Sequence, residues 1–172
     1  MDIKDTLRKD FIAKRKMLSK RRKHQAKQTL FEKLHLSHFQ TILSYASMED
    51  EVDTWELNHW ICENRTLCIP KVEHHDLIPC RVTDMAHLHK KKRFFEPNEN
   101  SKVVDLDAID LVLVPGICFD ENGYRLGFGY GIYDRFLKQI RCKTIGICFY
   151  ELKAKHIPKE IHDVSVDGVL FV

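Results

Sequence analysis

The residues with the clearest chemical potential lie between Gly123 and Asp134. In Arg125-Leu126-Gly127-Phe128-Gly129-Tyr130-Gly131 the alternating glycines let the backbone approach a ligand closely and turn several N–H groups toward it. A helical pattern begins directly afterwards, at Tyr133-Asp134-Arg135-Phe136-Leu137. Backbone donors at the positive end of a helix suit a phosphate. Arg125 can fork onto phosphate oxygens, and Asp134 offers the hard oxygen that Mg²⁺ takes beside nucleotide phosphates. The stretch is not a P-loop, because G-x-x-x-x-G-K-[ST] is missing. Taken alone, G-x-G-x-G also describes a plain strand-to-helix turn, and Asp134 also describes a charge at a helix N-terminus.

Other chemistries find less support. The six cysteines, Cys62, Cys68, Cys80, Cys118, Cys142 and Cys148, include no C-x-x-C pair and sit mostly among apolar residues, so they read as reduced, buried thiols rather than metal ligands or disulfides. The ten histidines are scattered and receive no catalytic role. Net charge is only +3, yet twelve Lys and Arg residues crowd the first 33 positions. Such an arm suits nucleic acid, anionic phosphate ligands, or simply a solvated helix face.

The elements that must position these groups follow from periodicity. Ile3 to Leu34 lacks Gly and Pro and carries apolar residues at spacings of three and four, which predicts a helical segment broken near Ser19, with Ser19 capping the second helix. Thr41-Ile42-Leu43-Ser44-Tyr45 predicts a strand, and Thr54 is a plausible cap for a helix carrying Trp55, Leu57, Trp60 and Ile61. Arg65 to Pro70 predicts a second strand, and residues 72–102 read as short strands and a loop. The run Leu111-Val112-Leu113-Val114 fits a strand covered on both faces. Thr144 to Phe149 and Val166 to Val172 complete the pattern. The sum is an α/β protein: a three-layer α/β/α sandwich with a mainly parallel sheet and a basic N-terminal helical segment, as one domain over 1–172.

The blocks Leu111 to Asp120, Gly123-Tyr124-Arg125-Leu126-Gly127, Gly129, Gly131 and Tyr133-Asp134-Arg135 follow the signature of 5-formyltetrahydrofolate cyclo-ligases, also called methenyltetrahydrofolate synthetases. The likeness continues in Lys4-x-x-Leu7-Arg8, Ser47-Met48, Glu51-Val52-Asp53-Thr54, Ile69-Pro70-Lys71-Val72, Glu96-Pro97, Ile157-Pro158, His162-Asp163 and Asp167. The chain thus resembles that family along essentially its whole length. The resemblance implies ATP-dependent conversion of 5-formyltetrahydrofolate to 5,10-methenyltetrahydrofolate, with Mg²⁺ required and ATP as co-substrate. Carried over by position, Lys4 and Arg125 would be catalytic. Lys4, Arg8, Arg125 and Leu126 through Tyr133 (Gly127, Phe128, Gly129, Tyr130, Gly131, Ile132) would hold ATP. Arg8, Ala46, Glu51, Phe128, Gly129, Tyr130, Gly131 and Ile132 would border the folate, with Glu51 taking hydrogen bonds from the amino-pyrimidine edge. Asp134 and Asp163 would hold Mg²⁺. Ile132 and Leu152 depart from the family pattern, which usually has tyrosine at the first position and often glutamine at the second.

No apolar run approaches the roughly 20 residues of a membrane span, and the first residues carry no signal-peptide-like stretch. The expectation is a cytoplasmic monomer that binds small molecules and neither nucleic acid nor membrane. Two alternatives stand beside it: a nucleotide- or sugar-phosphate-binding α/β enzyme without folate specificity, and a basic nucleic-acid module using Lys14 to Lys27. The latter lacks interleaved aromatics and any helix-turn-helix or zinc pattern.

Overall fold

The computed structural model describes residues 2–172. Helices α1 (Ile3–Met17) and α2 (Lys20–Lys33) are separated at Leu18-Ser19. Asp2 and Ser19 each cap one of them, accepting from the backbone N–H of Lys4 (3.2 Å) and Arg22 (3.1 Å). There follow β1 (Thr41–Leu43), α3 (Trp55–Asn64), β2 (Thr66–Glu73), β3 (Asp76–Val82), β4 (His89–Lys91), β5 (Phe94–Glu96), β6 (Leu111–Val114), β7 (Cys118–Asp120), β8 (Arg125–Leu126), α4 (Ile132–Leu137), β9 (Lys143–Cys148), β10 (Lys153–Ala154) and β11 (Gly168–Phe171).

Six strands form the main sheet in the order β11-β9-β6-β1-β2-β3. All neighbours are parallel except the β2–β3 edge pair. Every residue of β6 is fully buried, as its unbroken apolar run requires of a strand with both faces covered. A smaller sheet, β10-β7-β8, carries the chain into the glycine-rich turn, and β4–β5 is a separate hairpin.

Topology places the functional end. The β1-α3-β2 crossover runs one way along the sheet and β6-α4-β9 runs the other, so right-handed connections put their helices on opposite faces. The direction reverses between adjacent strands β1 and β6, and a crevice opens at the carboxyl ends of strands at such a switch point. The segments leaving those ends are Ser44 to Thr54 and Pro115-Gly116.

Two local differences from expectation have physical causes. The second strand, expected to end at Pro70, runs on to Glu73, and the first of the short strands expected over 72–102 is β3, which returns with Glu73 opposite Asp76. The two-residue turn is His74-His75, both at positive φ (47° and 72°). Pro70 sits beyond Cys68, the last β2 residue paired with β1, so its missing N–H leaves no gap in the parallel ladder. The second difference is at α3, where Thr54 is the N-cap residue as expected but its side chain makes no capping bond, and Asp53, one position earlier, accepts from Trp55 N–H at 2.8 Å. The Thr54 hydroxyl is committed elsewhere, donating to the Tyr45 carbonyl at 2.6 Å. Among the described residues no helix is long and apolar enough to cross a membrane. All six cysteines are free, with Cys68, Cys80, Cys118 and Cys148 buried.

Candidate active site

The glycine-rich turn is held from beneath by Asp120, which is fully buried. Its Oδ1 accepts from the N–H groups of Asn122 and Tyr124, both at 3.0 Å, and its Oδ2 accepts from Ile157 N–H at 3.3 Å. Gly123 turns the hairpin at φ +80°. Leu126 is buried in the core, and its carbonyl accepts from Ile117 N–H at 2.7 Å. The chain then leaves the sheet through Gly127, around which an added Cβ would meet no atom within 4 Å. Gly129 and Gly131 take positive φ (93° and 63°), and Gly131 is the N-cap of α4. Phe128 is half-buried with the Arg93 guanidinium over its ring, 4.8 Å from the centroid, and Tyr130 is exposed. Ile132 and Tyr133 pack against the core.

Around this turn the structure gathers charges that are far apart in sequence. On α1, Lys4 is buried, and its Nζ donates to Asp163 Oδ2 at 2.7 Å and reaches Glu160 Oε1 at 3.1 Å. Burial alone would lower the Lys4 pKa, but the hydrogen bonds to Asp163 and Glu160 outweigh it and hold the ammonium above its ordinary value. Asp163 moves down for the matching reason: burial raises its pKa, and Lys4 with the Glu160 N–H more than offsets this. One turn along, Arg8 donates from Nε to the Gly127 carbonyl at 2.9 Å and pairs with Asp5. Arg125 is nearly all buried; its Nη1 donates to the Val164 carbonyl at 2.8 Å and its Nη2 lies 2.9 Å from Asp134 Oδ1. That approach is off the N–H direction, leaving Nη2 without a well-aimed partner. Desolvation lowers the Arg125 pKa, opposed by Asp134, Tyr133 and Asp163. Asp134 also accepts from Val164 N–H at 3.1 Å. Lys4, Arg125, Asp134 and Asp163 therefore meet at the segment from Glu160 to Val164.

The other half of the site lies at the end of β1. Ser47 and Thr54 clasp the loop reciprocally, each backbone N–H donating to the other's hydroxyl at 3.3 and 3.0 Å. Within it Glu51 accepts from Met48 N–H at 2.9 Å. Burial raises the Glu51 pKa, against that hydrogen bond and the Arg15 guanidinium, which pull it down. Its charge is also felt by the phenols of Tyr45 and Tyr133, both pushed above their ordinary range chiefly by burial. Ala46, in the segment that leaves β1, is half-buried. Glu51 lines a groove of about 450 Å³ with Ser47, Met48, Trp55 and Phe95 on one side and Lys23, His24 and Lys27 of α2 on the other. Trp55 and Phe95 meet edge to face at 4.9 Å. The volume is that of a small-molecule site.

A family model described as the 5-formyltetrahydrofolate cyclo-ligase family matches residues 1–172. The chain belongs to that family. It is 30% identical over 143 residues to the 5-formyltetrahydrofolate cyclo-ligase of Mus musculus, a match covering 74% of this chain and 70% of the mouse protein. It is 30% identical over 176 residues to the same-named protein of Mycoplasma pneumoniae, covering 97% of each. Its fold is similar to the solved 5,10-methenyltetrahydrofolate synthetase of Aquifex aeolicus, with a TM-score of 0.86 and 29% identity over 98% of this chain and 89% of that one. The Mycoplasma pneumoniae synthetase structure matches with a TM-score of 0.79 at 26% identity, covering 98% of each chain.

For a cyclo-ligase family member the placement is informative. The Arg125 guanidinium lies over the Tyr133 ring, 5.9 Å from its centroid, and the Glu51 charge adds to the upward shift of the Tyr133 phenol, which links the charge cluster to the groove. Asp134 and Asp163 both meet the Glu160–Val164 segment, and among the described residues no group of three His, Cys, Asp or Glu side chains is placed to hold a metal. A pair of hard oxygens suits Mg²⁺, which commonly takes its remaining ligands from substrate phosphates and water. Sequence reasoning passed over Arg15, counted only as part of a basic arm. It is 1% exposed and donates from Nε and Nη2 to Asp50 Oδ2 at 3.1 and 2.8 Å. Its spacing from Lys4, Arg8 and Phe11 was the available signal, since the four fall on one helical stripe.

Proposed function

We infer that this chain catalyses the cyclo-ligase reaction of its family: 5-formyltetrahydrofolate and ATP give 5,10-methenyltetrahydrofolate, ADP and phosphate. The observation that carries the reading is the convergence of Lys4, Arg8, Arg125, Asp134 and Asp163 on the glycine-rich turn beside the Glu51 groove. The formyl oxygen attacks the γ-phosphorus as ADP departs, giving an imidate phosphate. N10 then bonds to the formyl carbon, and loss of phosphate and of the N10 proton leaves the methenyl bridge. Such phosphoryl transfer needs alignment and charge neutralisation more than a protein nucleophile.

Each residue has work of that kind. Gly127 to Tyr133 supplies backbone donors to the phosphates, and the open space around Gly127 admits close approach. Lys4, Arg8 and Arg125 neutralise the oxygens that gain charge as the phosphoryl group moves; Arg125, already stripped of water and incompletely paired, needs little reorganisation to do so. Asp134 and Asp163 would hold Mg²⁺, which supplies charge neutralisation to the phosphates when bound. Glu51, in its ionised form, accepts the paired donors of the pteridine's amino-pyrimidine edge. Phe128, with Arg93 over its ring, and Ile132 border the folate. A cytoplasmic monomer handling only these small molecules completes the reading.

The test follows near-ultraviolet absorbance as the conjugated methenyl product forms from protein, ATP, Mg²⁺ and 5-formyltetrahydrofolate. Growth only when all components are present is expected. Absence of signal in the complete mixture, with ATP still bound, would reject the folate assignment.

A further inference from the structure

Helix α1 carries three inward-facing cations. At 100° per residue, Lys4, Arg8, Phe11 and Arg15 fall within about 60° of arc, and about 16 Å separates the two ends of this stripe. Lys4 and Arg8 meet the glycine-rich turn and the Glu160–Val164 segment. Arg15 meets the opposite half of the site: it grips Asp50, the neighbour of Glu51, and lines a small cavity with Tyr45, Glu51, Pro115 and Gly116. Its third nitrogen, Nη1, is buried with no hydrogen-bond partner. A long apolar side chain would fill the same volume without that cost, so packing does not explain an arginine there.

We propose that Arg15 is a positioning residue for the folate half of the site, fixing the Met48–Glu51 turn through Asp50 and tying that turn to the helix that carries Lys4 and Arg8. The proposal rests on the reading of Glu51 as the pteridine acceptor. One rigid rod then sets both ends of the site, and ordering of one end is transmitted to the other. The charged and titratable groups around Glu51 are Arg15 from α1, Arg93 from the β4–β5 hairpin, Tyr45 from the end of β1, Tyr133 from α4, Glu49, Asp50 and Asp53 from its own loop and, across the groove, Lys23, His24 and Lys27 of α2. Arg15 and Arg93 favour its charged form, and Asp50 opposes it.

The opposed signs give a test that a merely structural role would not pass. In Arg15→Gln the folate KM is expected to rise roughly tenfold at the acidic end of its pH profile, because loss of the guanidinium moves Glu51 further toward its neutral form, with a smaller rise at the alkaline end and an ATP KM changed less than about twofold. In Asp50→Asn, which leaves the core arginine in place, the folate KM also rises, but its pH profile moves toward lower pH because an anion beside Glu51 has been removed. Shifts of the two profiles in the same direction, or none in either, would overturn the proposal, and Asp50→Asn decides it alone if Arg15→Gln does not fold. Glu51→Gln separates the two layers. A raised folate KM there with wild-type profiles in both other variants rejects Arg15 only, whereas an unchanged folate KM rejects the Glu51 assignment and the proposal with it.

Discussion

Replacing Gly123 by alanine should damage stability and the site together. The residue sits at φ +80°, and a Cβ there would lie 2.4 Å from the Val166 carbonyl oxygen. Left-handed backbone costs an alanine roughly 1–2 kcal/mol. The contact cannot be relieved by a side chain, because the obstacle is backbone. Opening it to about 3.0 Å moves Val166 by about 0.6 Å and weakens the Val166 N–H bond to the Gly123 carbonyl, now 3.0 Å, which costs about 0.5–1.5 kcal/mol more. The total of about 1.5–3.5 kcal/mol corresponds to a Tm lowered by roughly 3–14 °C for a chain of this size. The same movement drags on Val164, whose N–H and carbonyl hold Asp134 and Arg125, so turnover measured well below the new Tm should fall about tenfold or more. Scanning fluorimetry and the methenyl absorbance assay read the two effects. Gly127→Ala is the control, with no positive φ and no atom within 4 Å of the new methyl group; its Tm should move by about 1 °C or less. A Gly123→Ala protein that melts like the wild type would refute the reasoning.

Three further outcomes are expected. Arg125→Ala should lower kcat by roughly 10²–10³ through lost charge stabilisation, with Asp134→Asn also sharply reduced; turnover within twofold of wild type in either would remove that residue from the mechanism. The Lys4–Asp163 pair sets the pH limits of stability. Because the Asp163 pKa is lowered, its contribution is present above the ordinary carboxylate range and disappears as pH falls through the folded value. Because the Lys4 pKa is raised, its contribution is present below about 10.5 and disappears as pH rises through the folded value. Denaturant titrations should show both arms at on the order of 1 kcal/mol, and Lys4→Met should flatten both. Burial pushes the thiols of Cys68 and Cys118 up to about 12, so at pH 8 a disulfide reagent should spare them until the protein unfolds, while half-buried Cys62 and Cys142 react first. Rapid native-state labelling of Cys118 would contradict the packing of β7.

What could be read from the sequence was what depends on local pattern. The helix break at Ser19, the buried run of β6 and the glycine-rich entry to α4 all carry their own signals. The β2–β3 hairpin does not: its turn is His74-His75, where positive φ is usually announced by Asn or Gly, and Pro70 and Pro79 stand inside strands, where proline argues against them. Lys4 and Arg8 taken alone looked like a solvated helix face, because what buries Lys4 is a segment more than 150 residues further along. Thr54 takes the N-cap position expected of it, but Asp53 makes the side-chain bond, since two adjacent capping types cannot be ranked without knowing what else their side chains reach. Arg15 was hidden for the opposite reason. A charged residue in a basic run gives no sign that it faces inward until the whole stripe is considered.

The hydrogen bond from Lys4 to Asp163 spans 159 positions of a 172-residue chain. Contacts of such separation form last or bring the largest loop-closure cost to the folding barrier. Catalytic competence should therefore appear late in refolding, after the core strands have paired, and an activity trace should lag a fluorescence trace of the buried core. For this chain, turnover is a clock for the final closure of the fold.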